Sequence, residues 1–447
     1  MKPIYEDIAE KINLPFVKSI TFVGSYTNKL LENINDIDVV VIVDKLTKDK
    51  FNKLKNALKK YQLNTTFGPL KIKKEGELPP IHLMVYDIEG HKKHCLESPF
   101  TVFEWQRSKL FFKQPMTDFW EVTHLQPNYF FNARRNANDY LTDFRKGVIS
   151  YREYNSRMAL IKKYKKISEK DEAHFAYHIM CHISMNFCKM YHGRNAHFDL
   201  NSYLKIFNLN KHQHSRFFDS VKDVIKRGMW LVNIEEHIES FIKDFKEQFD
   251  SYFSNAQEII FIRHAKTEMN KKDLFIGQFT DVGIIPVDTI PKIEFDIAYC
   301  SMMKRCSETI NLFSHEDILF SHNLNEINYG AVDGESYDFL KKNYPDIIKA
   351  WELGADPHFP NGENSMDVYR RVNAFFSEAK KDGTLLVCTH LGVLRLLYSL
   401  LAKVKRREAY RLFFPHLVPI KILRVEDKYY FDMEVDLIER ILHKFRA

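Results

Sequence analysis

Three strand-to-helix junctions in the C-terminal part of the sequence each deliver a basic side chain to the end of a strand. The apolar runs EIIFI, FDIAYC and LLVC lead into Arg263 and His264, into Arg305, and into His390, and a helical segment follows each run. Strands that alternate with helices form a parallel sheet, and ligands bind where the carboxyl ends of its strands meet. The pattern therefore predicts one site that holds two arginines and two histidines.

This combination of side chains suits a phosphorylated ligand. The planar guanidinium of arginine matches the oxygens of a phosphate group, and a neutral imidazole is a competent nucleophile near neutral pH. One histidine or arginine at a strand end is more often structural than functional, so the prediction depends on all four together.

Five segments, in the same order, resemble motifs of the histidine phosphatase superfamily, which has the phosphoglycerate mutase-like fold. RHAKTEMN is similar to R-H-G-x-T-x-x-N, SMMKRCSET to S-x-x-x-R-x-x-x-T, and LNEINYGAVDG to L-x-E-x-x-x-G-x-x-x-G. FPNGENSMDVYRRV resembles the P-x-G-E-S segment with one residue inserted, and THLGVLR resembles the second-histidine motif. The resemblance covers residues 257–425 and implies an α/β domain with a mainly parallel sheet.

The resemblance also implies a mechanism. His264 would attack phosphorus and become phosphohistidine, which divides one difficult displacement into two easier ones. Glu326 would protonate the leaving oxygen and then activate water. The groups expected to surround the phosphate are Arg263, Arg305, His390 and Asn270. No metal ion is expected in this half of the protein.

Three positions favour simple hydrolysis over phosphate transfer between two positions of a substrate. Mutases of the family carry Ser or Thr just before the glycine that Gly277 matches, and this sequence has Ile276 there. Ala265 and Leu391 replace two glycines of the family motifs, which narrows the pocket. The sequence therefore predicts a phosphatase rather than a mutase.

The N-terminal part contains a second pattern that is typical of phosphate chemistry. Gly24 and Ser25 follow the strand-forming run SITFV, and Asp36 and Asp38 precede the apolar run VVVIV. Residues two apart on a strand point to the same face, so both carboxylates project together. Two carboxylates suit Mg²⁺, and a Gly-Ser turn offers N–H groups and a hydroxyl to a triphosphate.

This pattern resembles the nucleotidyltransferase superfamily that includes DNA polymerase beta and the minimal nucleotidyltransferases, over about residues 15–90. The resemblance implies that Asp36 and Asp38 hold two Mg²⁺ ions, one at the attacking oxygen and one at the leaving pyrophosphate. It also implies that Gly24 and Ser25 bind the phosphates of an NTP.

The sequence departs from this family at the third carboxylate, which usually lies on a later strand. The matching segment PPIHLMVYD carries His82 there, and Asp87 is expected on the opposite face. A neutral His82 would accept the proton of the acceptor or ligate a metal ion. The alternative is a histidine that only packs or hydrogen-bonds at the strand edge.

The changes in pattern along the chain predict an α/β multidomain protein. We expect a nucleotidyltransferase α/β domain over residues 1–100, an all-α acceptor-binding or linking region over 101–255, and a histidine phosphatase domain over 256–447. In the helical region His174, His178 and His182 recur every four residues, which favours structural histidines or acceptor contacts over a metal cluster. The basic run 162–170 is expected to be a solvated face, with RNA contact as the alternative.

Composition limits the cellular setting. The net charge of +7 over 447 residues is a mild bias that suits anionic substrates without indicating nucleic-acid binding. The six cysteines show no C-x-x-C pair, which predicts reduced thiols in a cytoplasmic protein. We expect no secretory signal in the charged N-terminal segment and no membrane-spanning run.

Together the two patterns predict a bifunctional enzyme that acts on an NTP and a phosphorylated small molecule. One site would transfer a nucleotidyl group to an acceptor, with Mg²⁺ as cofactor, and the other would hydrolyse a phosphomonoester. A first alternative is a transferase that modifies protein or RNA. A second is a phosphatase regulated by a nucleotide-sensing domain that has lost transferase activity.

Overall fold

The computed structural model describes most of the chain in two compact units. The described residues are 4–24, 34, 36–68, 77–97, 99–121, 129–192, 204, 211–227, 233–313, 317–402, 406–410, 412–433, 437 and 440–441. Among them, those up to residue 252 form the N-terminal unit and those from 253 onward form the C-terminal unit. The boundary predicted near residue 100 lies inside the N-terminal unit.

The N-terminal unit contains a five-stranded sheet. Its strands are β1 (Val17–Val23), β2 (Ile37–Val43), β3 (Leu63–Asn64), β4 (Ile81–Asp87) and β5 (Phe111–Lys113). Their order is β3-β4-β2-β1-β5, with parallel pairing of β2 and β3 to β4 and antiparallel pairing of β1 to β2 and β5. The parallel register places His82 beside Asp38 at the start of two neighbouring strands.

Apolar side chains cover both faces of this sheet. The β-branched run of β2 is suited to a pleated surface, and its side chains alternate between two buried clusters. Helices α1 (Ile4–Ile12) and α2 (Lys48–Ala57) pack on one face. Both faces of the sheet are therefore buried, and Asp38 and His82 lie at the edge where β2 and β4 begin.

The prediction of an all-α region over residues 101–255 is wrong in two places. Strand β5 pairs with β1, and β6 (Val148–Tyr154) forms an antiparallel hairpin with β7 (Leu160–Lys166) inside a segment read as helical. The Tyr154 hydroxyl accepts a hydrogen bond from Val85 N and donates one to Val85 O, both at 2.8 Å. The hairpin is therefore attached to the sheet of the same unit.

The remaining elements of the N-terminal unit are helices. They are α3 (Ile88–Glu97), α4 (Pro99–Gln106), α5 (Tyr129–Arg145), α6 (Glu169–His192), α7 (Lys211–Arg227) and α8 (Ile234–Phe253). The apolar face of α8 is buried at positions 234, 238, 241, 242, 245 and 249, which is the spacing of one helical stripe.

The C-terminal unit contains a six-stranded mixed sheet. Its strands are β8 (Gln257–Arg263), β9 (Ile297–Ser301), β10 (Ile318–Ser321), β11 (Leu385–Thr389), β12 (Ile420–Val425) and β13 (Lys428–Asp432). Their order is β10-β9-β11-β8-β12-β13, and the first four are parallel. The expectation of a mainly parallel sheet is corrected at β12 and β13, which pair antiparallel and close one edge.

Helices flank this sheet. They are α9 (Lys304–Ile310), α10 (Tyr337–Asn343), α11 (Pro345–Glu352), α12 (Ser365–Glu378), α13 (Leu391–Ala402) and α14 (Arg406–Ala409). All six cysteines of the protein are buried, and none forms a disulfide bond. Among the described helices, none combines the length and apolarity needed to cross a bilayer.

Candidate functional sites

The N-terminal site lies where β1 ends and where β2 and β4 begin. One ligand atom from each of Asp36, Asp38 and His82 lies within 4.8 Å of the others, and all three side chains are half-buried. Gly24 follows β1 with φ of +87°, and a Cβ there would lie 2.7 Å from Asp38 Oδ2. A side chain at position 24 would thus collide with the Asp38 carboxylate, and glycine is the residue that permits this close approach.

His82 faces the two aspartates rather than packing away from them. Its Nδ1 lies 2.8 Å from Asp38 Oδ1, and because a carboxylate oxygen accepts, Nδ1–H is the donor. The proton on Nδ1 leaves a lone pair on Nε2, which is buried with no partner within the described part of the chain. The His82 ring is a candidate metal ligand together with the two carboxylates.

Electrostatics favour a cation at this site. Burial, together with the charge of Asp38, raises the pKa of Asp36 to about 7, and His82 lowers it in part. A divalent cation would relieve the repulsion between the two carboxylates. Mg²⁺ fits the oxygen ligands, whereas the imidazole nitrogen suits Mn²⁺ or Zn²⁺ better.

Two other predicted positions have different outcomes. Ser25 lies outside the described residues. Asp87 lies at the far end of β4, where its carboxylate accepts hydrogen bonds from Leu46 N at 3.2 Å and Gly90 N at 2.7 Å. It therefore supports the start of α3 and is not part of the N-terminal site, as expected from strand alternation.

A cavity of about 970 Å³ extends from this site into the helical part of the same unit. Gly24, Asp36, Asp38 and His82 lie on its wall. The hairpin, α5 and α6 complete the wall, and the side chains they contribute include Asp139, Tyr140, Asp143, Arg152, Lys162, Tyr164, His178 and His182. The cavity has room for a nucleotide-sized ligand next to the aspartates.

Two of the three periodic histidines line this cavity. The rings of His178 and His182 are 4.1 Å apart between centroids, and the Tyr140 hydroxyl lies 3.3 Å from His182 Nδ1. Burial lowers the pKa of His182 to about 4 and that of His178 well below its usual value. Both are therefore neutral, hydrogen-bonding groups near neutral pH.

In the C-terminal unit, the strand ends bring His264 and His390 together, with ring centroids 5.1 Å apart. His264 follows β8, and its Nδ1 donates to Ala265 O at 2.7 Å, so the lone pair lies on Nε2. Burial, and then the charges of Arg263 and Arg305, hold the pKa of His264 well below its usual value. The imidazole is therefore neutral, as a nucleophile requires.

Arg305 and His390 form one hydrogen-bonded chain. Arg305 Nε donates to His390 Nδ1 at 3.1 Å, and His390 Nε2 lies 2.8 Å from Ser301 Oγ, which donates to Asn325 Oδ1 at 2.9 Å. Burial, and then the charge of Arg305, lower the pKa of His390. The Arg305 guanidinium also donates to backbone carbonyls of residues 276, 277 and 280, so a phosphate oxygen would have to share its N–H groups.

Arg263 and Glu326 are buried beside the histidines. Arg263 Nη1 donates to Phe414 O at 3.2 Å, while its Nε is a buried donor with no acceptor among the described residues. Burial lowers the pKa of Arg263 to about 10. The Glu326 carboxylate accepts from Ile327 N at 3.0 Å and from Gly392 N, near the start of α13, at 3.3 Å.

Asn270 takes part in local structure. Its Oδ1 accepts from Thr267 N at 2.9 Å and from Thr267 Oγ1 at 3.1 Å, which caps the short 3₁₀ helix 268–271. The predicted phosphate contact of Asn270 therefore stays a prediction that concerns its amide nitrogen alone.

Sequence reasoning missed His416. Its Nδ1 donates to His264 O at 2.6 Å, and the two rings meet edge to face with centroids 5.2 Å apart. No motif spacing singles out this residue, which lies in FFPHLVP just before β12. Its position follows from the antiparallel pairing of β12 with β8, which returns the chain to the end of β8.

Residues 259–431 match the family model of the histidine phosphatase superfamily, branch 1. A 2,3-bisphosphoglycerate-dependent phosphoglycerate mutase of Parvibaculum lavamentivorans is 26% identical over 208 residues, which cover 41% of this chain and 98% of that protein. A fructose-2,6-bisphosphatase of Saccharomyces cerevisiae is 28% identical over 112 residues, or 25% of each chain. The alpha-ribazole phosphatase structure from Shigella flexneri is 20% identical, covers 40% of this chain and 95% of that one, and has a TM-score of 0.35.

Proposed function

Residues 259–431 form a domain of the histidine phosphatase superfamily, and on this premise we propose that the protein is a bifunctional enzyme of phosphate chemistry. The C-terminal site hydrolyses a phosphomonoester through a phosphohistidine. The N-terminal site transfers a nucleotidyl group from an NTP to an acceptor with the help of a divalent metal ion.

The buried, neutral His264 is the observation that carries the phosphatase proposal. Its Nε2 lone pair attacks phosphorus, the N–P bond forms, and the bond from phosphorus to the leaving oxygen breaks. Glu326 acts as the acid that gives a proton to that oxygen, and its carboxylate then takes a proton from the water that cleaves the N–P bond. Arg263, Arg305 and His390 stabilise the charge that develops on the phosphoryl oxygens.

Hydrolysis is favoured over a mutase reaction, although several relatives of this domain are named as mutases. Ile276 is buried and has no hydroxyl to offer a second phosphate position. Its carbonyl accepts from Arg305, which fixes the apolar side chain at this point of the loop. Water is then the second acceptor of the phosphoryl group.

The phosphatase proposal is tested with the full chain and a panel of phosphomonoesters, beginning with p-nitrophenyl phosphate. We expect an acid-labile phosphoenzyme after rapid quenching, with the added mass of one phosphoryl group on the peptide that contains His264. His264→Ala should form neither the phosphoenzyme nor product. Turnover within tenfold of wild type in this variant would refute the nucleophile assignment.

The Asp36, Asp38 and His82 cluster, set in a cavity of about 970 Å³, is the observation that carries the transferase proposal. The two carboxylates would hold a divalent metal ion, which when bound supplies positive charge to the triphosphate and the attacking oxygen. In this proposal the His82 imidazole takes the proton of the acceptor or completes the ligand set, and its position beside the two carboxylates supports this role. Gly24 allows the end of β1 to approach the Asp38 carboxylate closely.

The transferase proposal is tested by incubating the protein with each NTP and a metabolite extract, and by following pyrophosphate release and nucleotidylated products by mass. Asp36→Asn should abolish both and leave phosphatase turnover unchanged. His82→Ala should lower transfer by about 10²-fold, the usual scale for a general base, and His82→Asp should retain it. NTP binding without turnover in wild type would favour a nucleotide-sensing role instead.

A further inference from the structure

The hairpin presents two positive charges side by side to the cavity of the N-terminal unit. Arg152 on β6 and Lys162 on β7 are directly opposite each other in the antiparallel register, and both line the cavity that contains the Asp36–Asp38 pair. Opposite residues of an antiparallel pair project from the same face of the ribbon at close range. The wall therefore carries a pair of like charges.

Such a pair attracts an anion. Like charges directly opposite each other repel, although solvent screens this repulsion because both residues are exposed. Within the described part of the chain, no carboxylate forms an ion pair with Arg152. Lys162 Nζ lies over the Tyr164 ring, 5.1 Å from its centroid. Burial raises the pKa of Asp143, and the nearby charge of Lys162 lowers it in part.

The lysines on the other face of β7 are arranged differently. Lys163 pairs with Glu153 across the hairpin, and Lys165 Nζ lies 3.0 Å from Asp171 Oδ2 at the start of α6. The outward face thus compensates its charges with acids, whereas the cavity face leaves Arg152 uncompensated. The basic run is exposed over residues 162–166, which agrees with a solvated face, and its charges differ in the acids that neighbour them.

We infer that Arg152 and Lys162 form an anion site that binds phosphoryl oxygens of a substrate in this cavity. The guanidinium fork and the ammonium group offer charge-assisted hydrogen bonds to phosphate, and the cavity holds ligands close to both. The phosphoryl group belongs to the triphosphate of the nucleotide or to a phosphorylated acceptor. Whether the phosphoryl group comes from the nucleotide or from the acceptor depends on the proposed nucleotidyl transfer, whereas the anion site itself does not.

The site is tested by calorimetric titration of the full chain in Mg²⁺, in a His264→Ala background that prevents hydrolysis by the other site. The probes are inorganic tripolyphosphate for the nucleotide arm and glucose 6-phosphate for the acceptor arm. Arg152→Ala and Lys162→Ala should each raise the Kd of the probe that occupies the anion site about tenfold. The double variant should raise this Kd about 10²-fold.

Two control variants separate charge from folding. Lys163→Ala, on the outward face of the same strand, should leave both Kd values within twofold of the parent. Lys162→Arg keeps the charge and should retain the affinity that Lys162→Ala loses. Near-ultraviolet circular dichroism of each variant verifies that the unit is folded.

Each outcome decides the inference. A weakened tripolyphosphate titration assigns the site to the nucleotide, and a weakened glucose 6-phosphate titration assigns it to a phosphorylated acceptor. Unchanged affinities for both probes in the folded double variant would overturn the anion site, even if Asp36→Asn still abolished NTP turnover. If wild type turned over no NTP while the double variant lost affinity for tripolyphosphate, the anion site would be supported and the proposed nucleotidyl transfer would be refuted.

Discussion

Gly392→Ala should selectively impair proton transfer by Glu326. Gly392 is the second residue of α13, and a Cβ there would lie 2.7 Å from Ile327 Cδ1 and closer still to Glu326 Oε1. Ordinary contacts of a Cβ begin at about 3.4 Å, so the carboxylate must move by roughly 1 Å. A misplacement of this size costs about 10²-fold in rate, or roughly 2.7 kcal/mol in activation free energy.

The assay compares two classes of substrate. An alkyl phosphate has a poor leaving group that needs the proton of the general acid, whereas p-nitrophenolate leaves without it. We therefore expect kcat to fall about 10²-fold for the alkyl ester and only a few-fold for p-nitrophenyl phosphate. Glu326→Gln, which keeps the shape of the side chain and removes its acid, should give the same selectivity.

Gly383→Ala is the matched control. Gly383 precedes β11 with φ of +69°, and a Cβ there would lie 3.0 Å from Asp296 Oδ2, again a glycine against a carboxylate but at the opposite edge of the sheet. Both alanine variants should lose about 1–3 kcal/mol in free energy of unfolding from overpacking or backbone strain. Only Gly392→Ala should change kcat. If Gly392→Ala lowered kcat equally for the alkyl phosphate and for p-nitrophenyl phosphate, the assignment of Glu326 as general acid would be refuted.

Three further predictions concern the separation of the two activities and the dependence on pH. His264→Ala should leave the Kd for an NTP within twofold of wild type, measured by calorimetry. EDTA should abolish nucleotidyl transfer but not phosphatase turnover, and equal loss of both would contradict the assignment of two independent sites. In EDTA, the free energy of unfolding of the N-terminal unit should fall as pH drops from 6.5 towards 4. Burial lowers the pKa of His91, His94 and His182 to about 4, 3 and 4. Because the same histidines take up protons near pH 6.5 in the unfolded chain, acid favours unfolding. The pKa of Asp36, raised to about 7, acts in the opposite direction. The four groups together give a slope of roughly 2.5 kcal/mol per pH unit near pH 5, which the urea dependence of hydrogen exchange in β4 measures.

The placement of the C-terminal site was predictable because its side chains follow directly from strand ends. Arg263 and His264 follow the run that forms β8, and His390 follows β11, so parallel pairing alone brings them to one edge. Parallel pairing of β2 with β4 likewise predicted that Asp36, Asp38 and His82 lie together. The position of His416 could not be predicted in this way, because its neighbours depend on where the antiparallel strand β12 joins the sheet.

The hairpin was missed although its turn signals are present in the sequence. Gly147 ends α5 with φ of +62°, the conformation that glycine adopts at a helix C-terminus. Asn155 Oδ1 then accepts from Arg157 N at 2.9 Å and Ala159 N at 3.0 Å, which is the turn chemistry of asparagine between two strands. The many Lys, Arg and Tyr residues of 137–167 are compatible with helix as well as strand, so composition favoured the wrong element.

This hairpin changes how the N-terminal site has to be understood. The aspartates at the start of β2 come from the first hundred residues, but β5 covers the edge of β1 and Tyr154 is hydrogen-bonded to β4. A chain that stopped near residue 100 would expose an unpaired edge strand and would leave the cavity without its basic wall. Carboxylates repel a triphosphate, so the transfer that we propose calls for positive charge elsewhere in the cavity as well as a metal ion. In the anion site that we infer, Arg152 and Lys162 supply this charge, and they lie more than a hundred positions beyond the acidic motif and carry no motif of their own.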